Sequence, residues 1–305
     1  MKIEPSNRSD STKEKFKHYG TTIKKYFGGM DISEIKGSFY QKQFNKFTLH
    51  VGKDYAKRIN NEIRRMIYFA QADGYDVIDF TKGLDIFAKK RSKEREDKSL
   101  QSREDYEAVL QEVKIRFNYQ RSVSAYVIYI LFNTGLRPAE VLSLKWRDID
   151  LLKGFLTTRD RIDSVSLKRT KAKTKHSVRT ISFNDETLEV FRELKDNQQK
   201  MLKERKMNNP EDLVFLHWSC QHLLPTNAAL NKVLRNILDN LKIEPKISLY
   251  GIRHSRISYL RSSGMVTDEQ VAKYSGHANT GQLTRTYGVL LKEVEDAGNE
   301  QIRKL

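Results

Sequence analysis

The chain of 305 residues carries 56 lysines and arginines against 39 acidic residues, a formal net charge of +17. Its 38% hydrophobic content supports a sizeable core and excludes a disordered tail, while the charge excess points to a polyanion, most commonly nucleic acid. No stretch reaches the roughly 18 apolar residues of a spanning helix, no signal-peptide apolar region opens the chain, and one cysteine excludes an internal disulfide framework, so a cytoplasmic protein with no membrane partner is expected.

Residues 1–14 are polar without apolar periodicity and read as a mobile arm. From 15 to 95 the pattern is that of a helical domain. In "YAKRINNEIRRMIYFAQADGY", Ile59, Ile63, Met66 and Phe69 recur at three or four residues, with basic side chains on the other face. The charge-dense "AKKRSKEREDKSLQS" (88–102) holds a domain boundary, with 96–102 as linker and 103–305 as the second domain. There Ser102 is placed to cap a helix whose first turn contains Glu104 and Asp105.

A buried helix is predicted over 122–133, followed by "TGLRPAE" (134–140). Gly135 reads as its stop and Pro138 as the first residue of the next helix. Arg137 lies between them, either in an ion pair with Glu140 or facing something anionic. The stretch 148–183 alternates and is rich in β-branched residues, with "KRTKAKTKH" as a hairpin tip. Helical periodicity returns at 186–203, 226–242 and 248–262. The fold class is mostly α, two domains, with a small antiparallel β-sheet in the second.

Further along, "TKAKTKHSVRTISF" (170–183) lacks acidic residues and reads either as a solvated turn protecting an edge strand or as a hairpin tip entering a DNA groove. In "SLYGIRHSRISYLRSSG" (248–264), Tyr250 and Arg253 are three apart and share a helix face. His254 lies about 100° round the helix from Arg253 and is expected to face away. In "TDEQVAKYSGHANTGQLTRTYG" (267–288), Thr267 and Gln270 form a capping box, Gly276 ends the helix, and His277 and Tyr287 follow. His217, Cys220 and His222 in "HWSCQH" lack a convincing fourth ligand for zinc. Trp146 and Trp218 read as core anchors.

Together, from about 102 to 290, these stretches resemble the tyrosine recombinase (phage integrase) family. "TGLRPAEVLSLKWRDIDL" resembles its first arginine box, "YGIR" its His-x-x-Arg box with Tyr250 in the histidine position, as in some archaeal members, and "SGHANTGQLTRTYG" its third box. The resemblance implies a helical core-binding domain before the catalytic one, and catalytic roles for Arg137, Lys173, Tyr250, Arg253, His277 and the nucleophile Tyr287. Lys171 and Lys175 are the alternatives for the lysine. A phenol attacking a phosphodiester conserves bond energy as a 3′-phosphotyrosine, so no cofactor and no metal is implied. Two guanidiniums stabilise the transition state and a lysine protonates the leaving oxygen. Tyr250 would donate a hydrogen bond to the phosphate, since a phenol is a poor base near neutral pH. The implied partners are double-stranded DNA with a specific recombination site and three further protomers. The implied reaction is integration and excision of a mobile element. A chromosome-dimer resolvase and a catalytically impaired DNA-binding protein are the rivals.

Overall fold

The computed structural model describes residues 9–89, 94, 96–163, 166–172, 177–216, 224–286 and 291–303. The chain divides into two compact units, Met1–Lys93 and Glu94–Leu305.

The first unit is built on α1 (Asp10–Phe27), α2 (Gly37–Thr48) and α3 (Lys53–Ala72). Residues 10–14, read from sequence as part of a polar arm, are helical, with Asp10 in the first turn where an acid complements the helix dipole. The arm's first eight residues lie outside the described part. The core is aromatic: Tyr19, Phe27, Tyr40, Phe44 and Phe47 pack on Ile59, Ile63 and Ile67. Phe44 and Phe47 are fully buried, and the buried Tyr40 hydroxyl donates to Asn60 Oδ1 at 2.9 Å. The inward stripe of α3 therefore runs at four-residue spacing through Ile59, Ile63 and Ile67. Met66, expected on it, is half exposed.

In the second unit, α4 (Arg103–Ile115) starts as expected, Ser102 Oγ accepting from Asp105 N at 3.0 Å. Helix α5 (Ser124–Thr134) is buried at every residue and packs on α4, α7 (Asp185–Arg205), α8 (Asn227–Asn240) and α9 (Leu249–Ser262). A helix apolar all round can exist only in such a core. Between α5 and α7 come a short α6 (Pro138–Val141) and two small antiparallel sheets. In the first, β2 (Phe155–Thr158) lies between β1 (Ile149–Asp150) and β5 (Arg179–Ser182). In the second, β3 (Asp160–Ile162) pairs with β4 (Arg169–Lys171). The tip placed from sequence at 168–176 is thus partly a strand, and the turn joining β3 to β4 falls earlier. Asp163 anchors that turn, its Oδ1 accepting from Ser166 N at 3.1 Å. Helices α10 (Asp268–Ser275), α11 (Thr280–Thr286) and α12 (Lys292–Arg303) complete the unit.

Residues 96–102, read as a linker, pack within this unit. Leu100 is buried and its amide donates to Ser255 Oγ of α9 at 2.8 Å. The start of α12 joins α4 of the same chain: Lys292 N donates to Gln101 O at 3.0 Å and Arg103 N to Glu293 Oε1 at 2.9 Å. Trp146 is buried, as read from sequence, its indole N–H donating to Gln198 Oε1 at 2.8 Å. No helix among the described residues is long and apolar enough to cross a membrane.

Candidate active site

The joint between α5 and α6 is fixed by backbone chemistry. Gly135 takes the left-handed conformation (φ 61°) and its amide donates to Leu131 O at 2.8 Å, ending α5. Pro138 then opens α6 at N1, where its missing N–H costs nothing. Arg137 is held twice by Glu140: its amide donates to Oε2 at 2.9 Å and its Nη1 to Oε1 at 2.8 Å. The ion pair read from sequence is therefore present, but it is not exclusive. Arg179 on β5 donates to the same carboxylate from Nη2 at 3.1 Å and Nη1 at 3.4 Å. Burial alone would raise the Glu140 carboxyl, but Arg179 and Arg137 outweigh it and hold the carboxyl below the usual range. One ionised, buried carboxylate thus aligns two guanidiniums. The Arg137 side chain keeps about a third of its surface open to solvent.

Arg253, in the second turn of α9, is 1% exposed. Its Nη1 donates to Gly135 O at 2.8 Å and its Nη2 to Ser275 O at 2.6 Å. The two carbonyls end α5 and α10, so one fork ties the arginine joint to the segment that carries His277. That segment is set by the end of α10, where Gly276 (φ 74°) donates to Lys273 O at 3.2 Å and His277 N to Ala272 O at 2.9 Å. His277 is 8% exposed and its Nδ1 lies 2.6 Å from Ser275 Oγ. Burial, then the charges of Arg253, Arg137 and Arg179, with His254 behind them, push its pKa down to about 4. The same field shows that all three arginines lie within electrostatic reach of one imidazole.

The structure brings Arg137, Arg253 and His277 together. It does not give Tyr250 and Arg253 a shared orientation. Tyr250, in the first turn of α9, is 57% exposed, whereas Arg253 points into the unit. His254 does not simply face away. Its own pKa is pushed down to about 4 by burial, Arg253 and Lys98, and when protonated it opposes a proton on His277. Lys171 is exposed at the end of β4, opposite Asp160. Lys173, Lys175 and Tyr287 lie outside the described residues, as do His217, Trp218, Cys220 and His222. No cluster of metal-ligating side chains occurs among the described residues.

Two residues escaped the sequence reading. Arg179 alternates with exposed Thr180 and shares a side of β5 with buried Ile181, so strand periodicity alone flags a cation turned inward. Ser275 left no signal beyond its place before Gly276. Arg179, Tyr274, Gly276, His277 and Asn279 line a cleft of about 1030 Å³ that opens between β5 and α10.

Comparison with known proteins bears directly on this geometry. The model of the phage integrase family matches residues 101–293. A tyrosine recombinase XerC-like protein of Caldanaerobacter subterraneus subsp. tengcongensis is 26% identical over 287 residues, covering 88% of this chain and 71% of that one. The integrase of Staphylococcus phage L54a is 24% identical over 181 residues, covering 56% and 49%. The fold matches that of the Tn1549 transposon integrase in complex with transposon right-end DNA, with a TM-score of 0.73 and 17% identity, covering 98% and 96%. The class these findings define is the tyrosine recombinase, a DNA strand transferase. The chain belongs to the phage integrase family.

Proposed function

We propose that the second unit cuts and rejoins DNA at a specific site to integrate and excise a mobile element, with Tyr287 as nucleophile. The observation that carries this is the Arg253 fork, a buried cation fixed by the carbonyls of Gly135 and Ser275 beside Arg137, Arg179 and His277. Two guanidiniums share one carboxylate there and a third is held by carbonyls, an excess of positive charge suited to the oxygens of a pentavalent phosphate. The carboxylate and carbonyls pre-orient the forks, so little reorganisation is left for the reaction itself.

Arg137 keeps an open edge and meets the phosphate directly. Arg253 sets the joint around it and adds charge from within. Tyr250, exposed on the first turn of α9, donates a hydrogen bond to a nonbridging oxygen. Lys173, or its neighbours Lys171 and Lys175, protonates the leaving 5′ oxygen. Residues 15–95 supply further phosphate contacts, and four protomers act on two sites.

Covalent capture tests the reading without a known target. Nicked duplexes with a randomised core are incubated with the full chain, and adducts surviving denaturation are sequenced. The wild type should retain a narrow set of sequences, and Tyr287→Phe should retain none while still binding DNA, because affinity rests on many phosphate contacts. A phenylalanine variant that still forms adducts overturns the assignment. On the captured sequence, Lys173→Ala should slow cleavage markedly with ordinary DNA and little with a 5′-bridging sulfur, whose thiolate leaves without a proton.

A further inference from the structure

The seat of His277 fixes more than its position. Ser275 Oγ lies 2.6 Å from Val271 O, one helical turn back, and 2.6 Å from His277 Nδ1. A hydroxyl has one proton. A carbonyl oxygen can only accept, so at this distance the proton must point to Val271 O, since otherwise two sets of lone pairs would face each other. The hydroxyl then offers the imidazole only a lone pair, and Nδ1 must carry the hydrogen. Ser275 is 1% exposed, so no bulk water relieves the choice.

From this we infer that Ser275 locks His277 in the Nδ1–H form, which makes Nε2 the acceptor nitrogen, so that His277 takes a proton during strand cleavage instead of donating one to the phosphate. The serine is a positioning residue acting through the histidine. The chemical part rests on the strand-transfer reading above. In it, the proton of the attacking phenol passes to Nε2 as its oxygen bonds phosphorus. The bond from phosphorus to the 5′ oxygen breaks, and that oxygen takes its proton from the cationic donor. The imidazolium returns its proton to the phenol on rejoining.

The charged groups around the ring support the assignment. Arg253 on α9, Arg137 at the α5–α6 joint, Arg179 on β5 and His254 on α9 all disfavour a second proton in the free protein, and Glu140 is committed to two of these arginines. The ring is therefore neutral before substrate arrives. A bound phosphate brings negative charge among these cations, offsets their field and raises the proton affinity of Nε2 when the step requires it.

Long-range ¹H–¹⁵N correlation on the full chain with ¹⁵N-labelled histidine reads the tautomer directly, with His277→Gln assigning the resonance. The expected result is a protonated Nδ1 and an unprotonated Nε2 near neutral pH. An Nε2–H form overturns the inference, whatever the activity. In Ser275→Ala the preference should be lost and both tautomers should appear. Covalent capture from the randomised duplexes should slow about tenfold while retention of DNA is unchanged. An unaltered tautomer in Ser275→Ala removes the serine from the mechanism. Failure of the wild type to capture any DNA would instead overturn the strand-transfer reading, a result that the spectrum of the free protein does not share.

Discussion

The two units of the chain are held together by different means. In the first, the interior is a cluster of rings: Phe27 meets Tyr40, Phe44 and Phe47 at centroid distances of 5.6–6.0 Å, and polar groups are few. In the second, an equally apolar helix, α5, runs into a joint where Glu140, Arg179 and Arg253 are nearly dry. Burying rings is favourable wherever they fit. Burying two arginines around one carboxylate is not, unless each is fully hydrogen-bonded. The first unit thus places its stabilising groups inside and leaves its basic ones on the surface. The second accepts an electrostatic cost at one point, and the geometry there is rigid because it must be.

The sharpest way to break this comparison is Glu140→Ala. Removing the acid leaves Arg137 and Arg179 facing each other, and breaking a buried ion pair costs about 3–5 kcal/mol. Both tryptophans of the chain, Trp146 and Trp218, belong to the second unit, so their fluorescence reports on it alone. The denaturant midpoint of that signal should fall steeply. If it does not move, the carboxylate is a minor partner and the arginines are held by their carbonyls.

The matching change in the first unit is Phe44→Ala. A fully buried phenylalanine replaced by alanine costs about 3 kcal/mol, at the low end of its range because surrounding rings can tilt into the void. Circular dichroism should show helix lost at lower denaturant, while the tryptophan transition stays where it was. Movement of both signals together would mean that the units unfold as one.

A smaller effect separates the units by pH. His277 and His254 have folded-state pKa values near 4, below the ordinary histidine value, so the unfolded chain binds protons that the folded one refuses. Stability is therefore full above pH ~6.5 and declines as pH falls toward 4. Allowing for solvent screening, His277 accounts for on the order of 1–2 kcal/mol between pH 7 and 5. The tryptophan midpoint should track this decline, and His277→Gln should flatten it. An unchanged slope in the variant would place the proton uptake elsewhere.

What could be read from sequence follows the same division. Helix ends were legible because one residue decides each: Gly135 and Gly276 supply left-handed turns, Pro138 a fixed φ, Ser102 and Thr267 a hydroxyl for an exposed amide. Arg137, Arg253 and His277 were singled out because their boxes resemble those of a family, and the structure gathers them around the ends of α5 and α10. The β3–β4 hairpin was not, since Asp160, Arg161, Arg169 and Lys171 lack the apolar alternation that marks a strand, and only Ile162 is buried. Arg179 was legible in principle, by its register with Ile181. Ser275 was not, because its role depends on where two acceptors lie in three dimensions. The expected common face of Tyr250 and Arg253 failed for a related reason: three residues apart fixes a helical angle, but not how far each side chain reaches before it meets the core.

The smallest effect tests how far rigidity at the joint depends on ordinary helix chemistry. Helix α10 has eight residues, too few to persist without help. At its start Thr267 Oγ1 accepts from Gln270 N at 3.3 Å, and Gln270 Oε1 accepts from Thr267 N at 2.8 Å. Asp268 in its first turn is also paired with Arg261 Nε at 2.7 Å. At its end come Ser275, Gly276 and His277. Thr267→Ala removes one hydrogen bond of the box and should cost about 1 kcal/mol. The tryptophan midpoint should fall only by the small amount that this cost implies. The covalent capture rate should fall by more than the lost stability implies, since fraying at the start of so short a helix shifts the carbonyl that holds Arg253 and the hydroxyl that holds His277. Thr267→Ser, which keeps the acceptor, should restore both the rate and the Nδ1–H signal of His277. If Thr267→Ala loses stability but captures DNA at the wild-type rate, then the Arg253 fork positions His277 without help from the cap, and the rigidity of the joint comes from its buried charges alone.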